Sequence, residues 1–275
     1  MIKIATAQSH IQKEITENGA EIRKLIDQAT HEGADLIHFP EGALSGYSKQ
    51  EVKDWQAFDW PNIRIQLDLI ADFAKKRGIW VVLGSSHPLS PPNRPHNSLY
   101  VISNQGDIHT RYDKQLCSYN EIMNWYTPGR STCVFEIKGI RFGCALCIEI
   151  QFPELFLEYL AQDVHCILFS AYSDSNMFSI QAQGYAASCS SWISYSIPTA
   201  MSHTTSSKMI GPSGEIVSEC QKGHSDITIN TIDLNALEWD IPIKKARPWR
   251  TQAREGSIYR TRYVSDDRST NKQIF

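Results

Sequence analysis

Short apolar strands alternate with amphipathic helices along most of this chain, and that alternation limits the folds open to it. Residues 2–8 and 34–39 are typical of strands, and the helix predicted between them, over residues 12–32, has apolar side chains at helical spacing. Residues 79–84 are apolar almost throughout, as expected of a strand in a sheet covered on both faces. The pattern predicts an α/β protein.

The rest of the chain continues the alternation. We predict helices over residues 66–77, 153–160 and 179–190, hairpins over 99–112 and 133–146, and a buried strand over 166–170. Further short strands are predicted near residues 196–201, 207–211, 215–219 and 226–232. Because no repeat or flexible linker divides the chain, residues 1–264 are predicted to form one domain and residues 265–275 a polar C-terminal tail.

The composition excludes several classes of protein. Of the 275 residues, 41% are hydrophobic, which permits a large core, and the net charge of -3 gives no basic footprint for nucleic acid. No apolar run reaches the roughly 18 residues of a membrane span, so we expect no membrane partner. The seven cysteines lack disulfide-framework spacing, and the N-terminus lacks a signal-peptide pattern. The sequence therefore predicts a cytoplasmic location.

One cysteine stands where a strand gives way to a helix start. The segment RFGCALCIEIQFPE, residues 141–154, ends its apolar run at Cys147. At such a corner backbone N–H groups can face an anion, and the thiol becomes a nucleophile when a neighbouring group takes its proton. Cys144 and Cys147 also form a Cys-x-x-Cys pair, but on a strand they point to opposite faces, which disfavours a redox pair and directs Cys144 into the core.

Two other segments place charges at the ends of predicted strands. Glu41 lies in FPEG, residues 39–42, and Lys114 ends YDK, residues 112–114. Because strand ends gather at one edge of a sheet, we expect Glu41, Lys114 and Cys147 to converge in one cleft. A carboxylate, an ammonium and a thiol together can attack a carbonyl or nitrile carbon.

These blocks, in this order, resemble the nitrilase superfamily of carbon–nitrogen hydrolases, in its amidase-like branch. The resemblance also takes in the strand at residues 2–8, Glu121, and the segments PG (128–129), FPE (152–154) and MIGPSGEI (209–216). It spans most of residues 1–264. It implies a four-layer α-β-β-α sandwich of two mixed sheets, and subunits that pair as a homodimer or a higher homo-oligomer.

The resemblance also implies a reaction and the residues that perform it. Glu41 is the expected general base, Cys147 the nucleophile, and Lys114 the oxyanion partner, helped by the backbone N–H of Ile148. The implied substrate is a small molecule, most simply a carboxamide, cleaved at a non-peptide C–N bond through a thioester acyl-enzyme. No cofactor is needed, and the scattered histidines predict no metal site.

Several other side chains are expected near the substrate or at the corner. Glu121 matches a second glutamate that the family places near the substrate, and the aromatic residues Tyr47, Trp125 and Tyr172 are expected to wall the pocket. Glu149 and Glu154 are interpreted as structural: one accepts backbone N–H bonds at the corner, and the other favours the start of the next helix.

Three departures from the family pattern leave the substrate open. Residues 182–191 (AQGYAASCSS) carry no charge where many relatives have an arginine and a following glutamate, and Ile148 replaces a frequent aromatic residue. The segment after Cys147 also looks like the lipoprotein acyltransferase branch, whose membrane domain is missing here. Hydrolysis of nitriles or N-carbamoyl compounds, soluble acyl transfer, and a non-catalytic binding protein on the same scaffold remain alternatives.

Overall fold

In the computed structural model, which describes residues 1–273, the chain forms two six-stranded sheets and helices that pack on them. The strands are β1 (Ile2–Gln8), β2 (Leu36–His38), β3 (Trp80–His87), β4 (His96–Ile102), β5 (Ile108–Asp113), β6 (Val134–Ile137), β7 (Ile140–Leu146), β8 (Cys166–Ser170), β9 (Trp192–Ser196), β10 (Lys208–Ile210), β11 (Ile216–Glu219) and β12 (Asp226–Ile232). The helices are α1 (Ile15–His31), α2 (Trp60–Arg77), α3 (Pro153–Ala161), α4 (Asn176–Cys189), α5 (Arg247–Glu255), α6 (Ser257–Arg260) and α7 (Asp267–Thr270).

The two sheets repeat one pairing scheme. The first has the order β12-β1-β2-β3-β4-β5 and the second, counted from its other edge, β6-β7-β8-β9-β10-β11. In each, the second, third and fourth strands pair in parallel and the outer pairings are antiparallel. Both sheets are therefore mixed, as expected.

Three separate apolar cores divide the molecule into four layers. One lies between α1, α2 and the first sheet, a second between the two sheets, and a third between the second sheet and α3, α4. Side-chain alternation builds this arrangement, because successive residues of a strand point to opposite faces. In β7, Cys144 and Leu146 face the inter-sheet core, whereas Ala145, like Cys147 just beyond the strand, faces the helices. The four-layer sandwich and the inward direction of Cys144 are confirmed.

The strand predicted near residues 196–201 was misplaced. Ser190 adopts a left-handed conformation, with φ of 50°, and ends α4, and the apolar run of β9 begins two residues later at Trp192. Pro198 has no backbone N–H for a strand ladder, and Thr199–Met201 form a single 3₁₀ turn. Helix α2 also begins earlier than predicted, because the Asp59 side chain accepts from the N–H of Asn62 and caps its first turn.

Arginines of α5 bind the carboxyl end of α4. The guanidinium of buried Arg247 donates to the Ser190 and Val164 carbonyls and to the Asp163 carboxylate. Arg250 donates to the carbonyl of Ala187. Because the last carbonyls of a helix have no intrahelical donor, these contacts stabilise the end of α4 and fasten residues 247–255 to the domain.

Two predictions concern the chain as a whole. The division into one domain and a polar tail remains a prediction, and the last two residues of the tail, 274 and 275, lie outside the described residues. Within residues 1–273, none of the helices combines the length and the apolar character needed to cross a lipid bilayer.

Candidate active site

A buried lysine lies between two buried carboxylates at the ends of the first sheet's strands. Lys114 directly follows β5, and its Nζ lies 3.1 Å from Glu41 Oε1 and 2.8 Å from Glu121 Oε1. Lys114 and Glu41 are completely buried and Glu121 is 3% exposed. Since buried charges are costly unless they are paired and hydrogen-bonded, these three groups form one electrostatic unit.

The Glu41 carboxylate is held by donors from both sheets. Asn97, on β4, donates to Oε1 at 2.7 Å, and the backbone N–H of Tyr172, just beyond β8, donates to Oε2 at 2.8 Å. The loop that carries Glu41 packs tightly on β3: a Cβ atom at Gly84 would lie 2.1 Å from the carbonyl oxygen of Pro40. Both carboxylate oxygens are thus fixed. The sequence analysis missed Asn97, whose only signal was a polar residue two positions before a predicted strand.

Cys147 occupies a strained corner. It follows the last residue of β7, opens the 3₁₀ turn Cys147–Gln151, and has a φ of 51°, which is unfavourable for a residue with a Cβ atom. Burial, reinforced by the Glu41 carboxylate, raises the pKa of its thiol above the usual value, and Lys114 acts in the opposite direction. The resting sulfur is therefore protonated, and a nucleophilic role for it would require a base.

The protonation balance separates the two carboxylates. Burial raises the pKa of Glu41, and the attraction of Lys114 does not cancel that effect. Burial acts the same way on Glu121, but there the Lys114 ammonium and the Ser118 N–H lower the pKa overall. Burial alone would lower the pKa of Lys114, yet the two carboxylates raise it well above its ordinary value. Lys114 and Glu121 are therefore the stable ion pair, and Glu41 takes up a proton more readily.

Glu149 joins the loop after Lys114 to the strand end before Cys147. Its Oε1 accepts from the Tyr112 hydroxyl at 2.8 Å and from the N–H groups of Gln115 and Leu116 at 2.8 and 3.0 Å. Its Oε2 accepts from the N–H of Leu146 at 2.8 Å. The structural interpretation of Glu149, as an acceptor of backbone N–H bonds at the corner, is confirmed.

Ile148 is the second residue of the 3₁₀ turn. The first N–H groups of such a turn have no acceptor within it, so the N–H of Ile148 is suited to an oxyanion. Its assignment as an oxyanion donor remains a prediction. Glu154, also interpreted as structural, lies exposed in the first turn of α3.

Two stacked tyrosines adjoin the charged cluster. The rings of Tyr47 and Tyr172 are 4.7 Å apart at 13°, and the Tyr47 hydroxyl donates to Glu121 Oε1 at 3.3 Å. Glu51 fixes the pair, since it accepts from the Tyr172 hydroxyl at 2.8 Å and from the Tyr47 N–H at 2.9 Å. The structure thus brings Glu121, Tyr47 and Tyr172 to one place. Glu51 had no sequence signal beyond a loop carboxylate.

Trp125 lies in a neighbouring aromatic cluster. It ends the π-helical turn Glu121–Trp125, and its ring packs edge-on to Trp55 with centroids 6.0 Å apart. Trp55 also donates from Nε1 to the Trp125 carbonyl at 2.9 Å and packs against Tyr126. The turn that Trp125 ends begins at Glu121, a member of the charged cluster, and the role of Trp125 at the substrate remains a prediction.

Comparisons with known proteins find relatives over most of the chain. The family model described as carbon-nitrogen hydrolase matches residues 3–239. An omega-amidase from Danio rerio is 24% identical over 266 residues, which cover 89% of this chain and 94% of that protein. A glutamine-dependent NAD(+) synthetase from Xylella fastidiosa is 30% identical over 151 residues, 51% of this chain but only 26% of that longer protein.

Solved structures show the same fold. An amidase of the nitrilase superfamily from Nesterenkonia AN1 superposes with a TM-score of 0.78, covering 95% of this chain and 97% of that chain at 17% identity. In another structure of the Nesterenkonia amidase, acrylamide has added to the active-site cysteine. At this level of identity the likeness establishes the architecture.

Proposed function

Because the chain belongs to the carbon–nitrogen hydrolase family of the nitrilase superfamily, we propose that this hydrolase cleaves a small carboxamide through a thioester on Cys147. The observation that carries the proposal is the hydrogen-bonded unit of Lys114, Glu41 and Glu121, whose charges act on the buried Cys147 thiol. This unit supports a mechanism in which Glu41 is the base, Lys114 the fixed cation and Cys147 the nucleophile.

In the first step Glu41 accepts the thiol proton, and the Cys147 sulfur forms a bond to the amide carbonyl carbon. The carbonyl oxygen becomes an oxyanion, stabilised by the Lys114 ammonium and the N–H of Ile148. Donors of this kind stabilise the transition state most when they are fixed in a site that excludes water. Lys114 is fixed by Glu121, which also keeps it charged.

In the next steps the acyl group passes to water. The C–N bond breaks as Glu41 returns its proton to the departing nitrogen, releasing ammonia and leaving a thioester. Glu41 then takes a proton from water, whose oxygen attacks the thioester carbonyl, and Cys147 leaves and recovers its proton. One amide and one water thus give one carboxylic acid and one ammonia, and the enzyme is regenerated without a cofactor.

We further propose that the protein works in a reducing compartment such as the cytoplasm. In the part of the chain that the structure describes, all seven cysteines are free thiols, and Cys147 must stay reduced to react.

The test is ammonia release from a panel of small amides, nitriles and N-carbamoyl compounds. We expect turnover of at least one amide, an acyl adduct on Cys147 by mass spectrometry, and no turnover by Cys147→Ala. The matched control is Cys189→Ala, which removes a different buried thiol, at the end of α4, and should keep its activity. A dominant hydroxamate product when hydroxylamine competes with water would indicate acyl transfer, and full activity of Cys147→Ala would disprove the mechanism.

A further inference from the structure

Four buried polar side chains form a hydrogen-bonded series between the two sheets, at the strand ends that lead to Glu41 and Tyr172. His38 Nε2 lies 2.7 Å from Ser170 Oγ, and His38 Nδ1 lies 2.9 Å from Ser194 Oγ. Ser194 Oγ lies 2.7 Å from Thr6 Oγ1, and the Ser170 hydroxyl donates to the Phe39 carbonyl at 2.8 Å. The four side chains are all completely buried.

The Phe39 carbonyl can only accept a hydrogen bond, and this determines where every proton in the hydrogen-bonded series lies. Ser170 uses its one hydroxyl proton on the Phe39 carbonyl, so its oxygen must accept from His38, and Nε2 carries the ring proton. Burial lowers the pKa of His38 to about 3, so the ring is neutral and Nδ1 is an acceptor. Ser194 therefore donates to Nδ1, and Thr6 donates to Ser194. All donors point the same way, towards the Phe39 carbonyl.

The hydrogen-bonded series reaches the two strand ends that lead to the Glu41 carboxylate and to its donor, Tyr172. His38 is the last residue of β2, three residues before Glu41. Ser170 is the last residue of β8, two residues before Tyr172, whose N–H binds Glu41 Oε2. The contact between His38 and Ser170 joins the last residues of β2 and β8. The contact between Glu41 and Tyr172 joins the segments that follow these two strands.

We propose that His38, as the neutral Nε2–H tautomer, is a positioning residue that fixes the Glu41 carboxylate by fastening β2 to β8. The proposal rests on the proposed role of Glu41 as the base.

A purely packing role would not require this chemistry. The inward-facing neighbours on the same strands, Leu36, Leu168 and Trp192, are apolar and belong to the inter-sheet core. Apolar side chains at positions 38, 170 and 194 would fill space without the cost of burying polar groups. Apolar contacts are not directional, whereas a fully satisfied hydrogen-bond network selects one relative position of the two sheets.

The first test reads the tautomer directly and does not depend on activity. We expect ¹⁵N NMR of the His38 ring, assigned by the loss of its signals in His38→Gln, to show a protonated Nε2 and a bare Nδ1 from pH 5 to 8. A protonated Nδ1, or titration of the ring within that range, would overturn the proposal.

The second test compares variants in steady-state kinetics. His38→Leu should lower kcat about a hundredfold with KM little changed, because the base is displaced but binding is not. His38→Gln keeps one donor and one acceptor and should recover most of that loss. An unchanged kcat in His38→Leu, or no recovery in His38→Gln, contradicts the positioning role.

Two serine variants test the positioning role of His38 even if His38→Leu does not fold. Ser170→Ala removes the link to the Phe39 carbonyl, whereas Ser194→Ala removes only the distant end of the hydrogen-bonded series. We expect the larger fall in kcat from Ser170→Ala at similar thermal stability, and equal falls would contradict the proposal. Activity retained by Glu41→Gln would instead disprove the proposed function, whatever the tautomer of His38.

Discussion

At the scale of single residues, the site depends on one ammonium shared by two unequal carboxylates. Lys114 binds Glu121 through both carboxylate oxygens but Glu41 through only one. Glu41 is completely buried, and the attraction of Lys114 does not cancel the effect of burial, so the pKa of Glu41 is raised. The pKa of Glu121 is lowered, because there the attraction of Lys114 prevails. The same ammonium therefore keeps Glu121 charged and leaves Glu41 able to exchange a proton with the thiol.

The role of Lys114 predicts a large kinetic effect. Lys114→Ala should slow acyl-enzyme formation by at least about a hundredfold, the usual cost of losing an oxyanion donor. Single-turnover ammonia release with enzyme in excess measures this step. The matched control is Lys208→Ala, which removes another buried lysine that is paired with Glu219 on β11 and should leave the rate near normal. A near-normal rate in Lys114→Ala would show that the ammonium has no part in the chemistry.

The carboxylate pair predicts a change in pH dependence. The base must be ionised, so kcat/KM should fall as the pH falls through the raised pKa of Glu41. The negative charge of Glu121 contributes to raising that pKa, so Glu121→Gln should move the acid limb of the profile to lower pH. The measurement is kcat/KM between pH 4 and 9 for both proteins. A shift to higher pH would contradict the coupling of these two carboxylates.

Sequence alone located the residues that lie within recognisable blocks. Glu41, Lys114 and Cys147 each follow a strand in a distinctive motif, and the contact between Glu41 and Lys114 could be predicted on that ground. Asn97, Glu51 and His38 could not be found in that way. Each acts through a partner distant in sequence, and only the folded sheets bring the two together.

At the scale of secondary-structure elements, Glu149 connects the two elements that carry the proposed oxyanion partner, Lys114, and the proposed nucleophile, Cys147. It receives hydrogen bonds from Tyr112 on β5, from the two residues after Lys114, and from Leu146 at the end of β7. A carboxylate without protons can accept all four bonds. The spacing between the Lys114 loop and the Cys147 corner therefore depends on one buried side chain.

Glu149→Gln should be strongly destabilising. The amide presents an NH₂ group to backbone donors, so buried N–H groups lose their acceptor, at a cost of about 3 kcal/mol in the free energy of unfolding. Urea unfolding followed by circular dichroism measures the change. Glu154→Gln, an exposed carboxylate five residues on, is the control and should unfold near the wild-type midpoint. Equal midpoints for the two variants would show that Glu149 does not connect these elements.

At the scale of the whole molecule, the alternation of strands and helices was enough to predict the class of fold, but not its termini. Periodicity identifies a buried strand such as β8 because burial on both faces leaves only apolar residues. It did not predict helix α5, because α5 is fastened by arginine contacts to the end of α4 rather than by an apolar face. The start of β9 two residues after Ser190 depends on backbone conformation, which periodicity does not report.

Helix α4 has an outer face without charge, which is unusual for an exposed helix. Met177, Ile180, Gly184 and Ser188 lie exposed along it, and Met177 and Ile180 are 51% and 60% exposed. On neighbouring α3, Leu157 is 46% exposed. Apolar patches of this kind mark interaction sites, and small residues such as Gly184 allow close approach of another backbone. We propose that a second copy of the chain packs on this face and forms the homodimer.

The proposed dimer predicts how two charge substitutions will differ. Ile180→Glu places a charge in the middle of the α3 and α4 face, so it should convert the dimer to a monomer in analytical ultracentrifugation. Ile65→Glu is the matched control, because Ile65 is similarly exposed, at 56%, but lies on α2 against the other sheet. It should leave the dimer intact, since the charged residues Arg64 and Asp68 already flank that surface and pair with each other. Dissociation by Ile65→Glu but not by Ile180→Glu would place the contact on α2, and a monomeric wild-type protein would exclude pairing through either face.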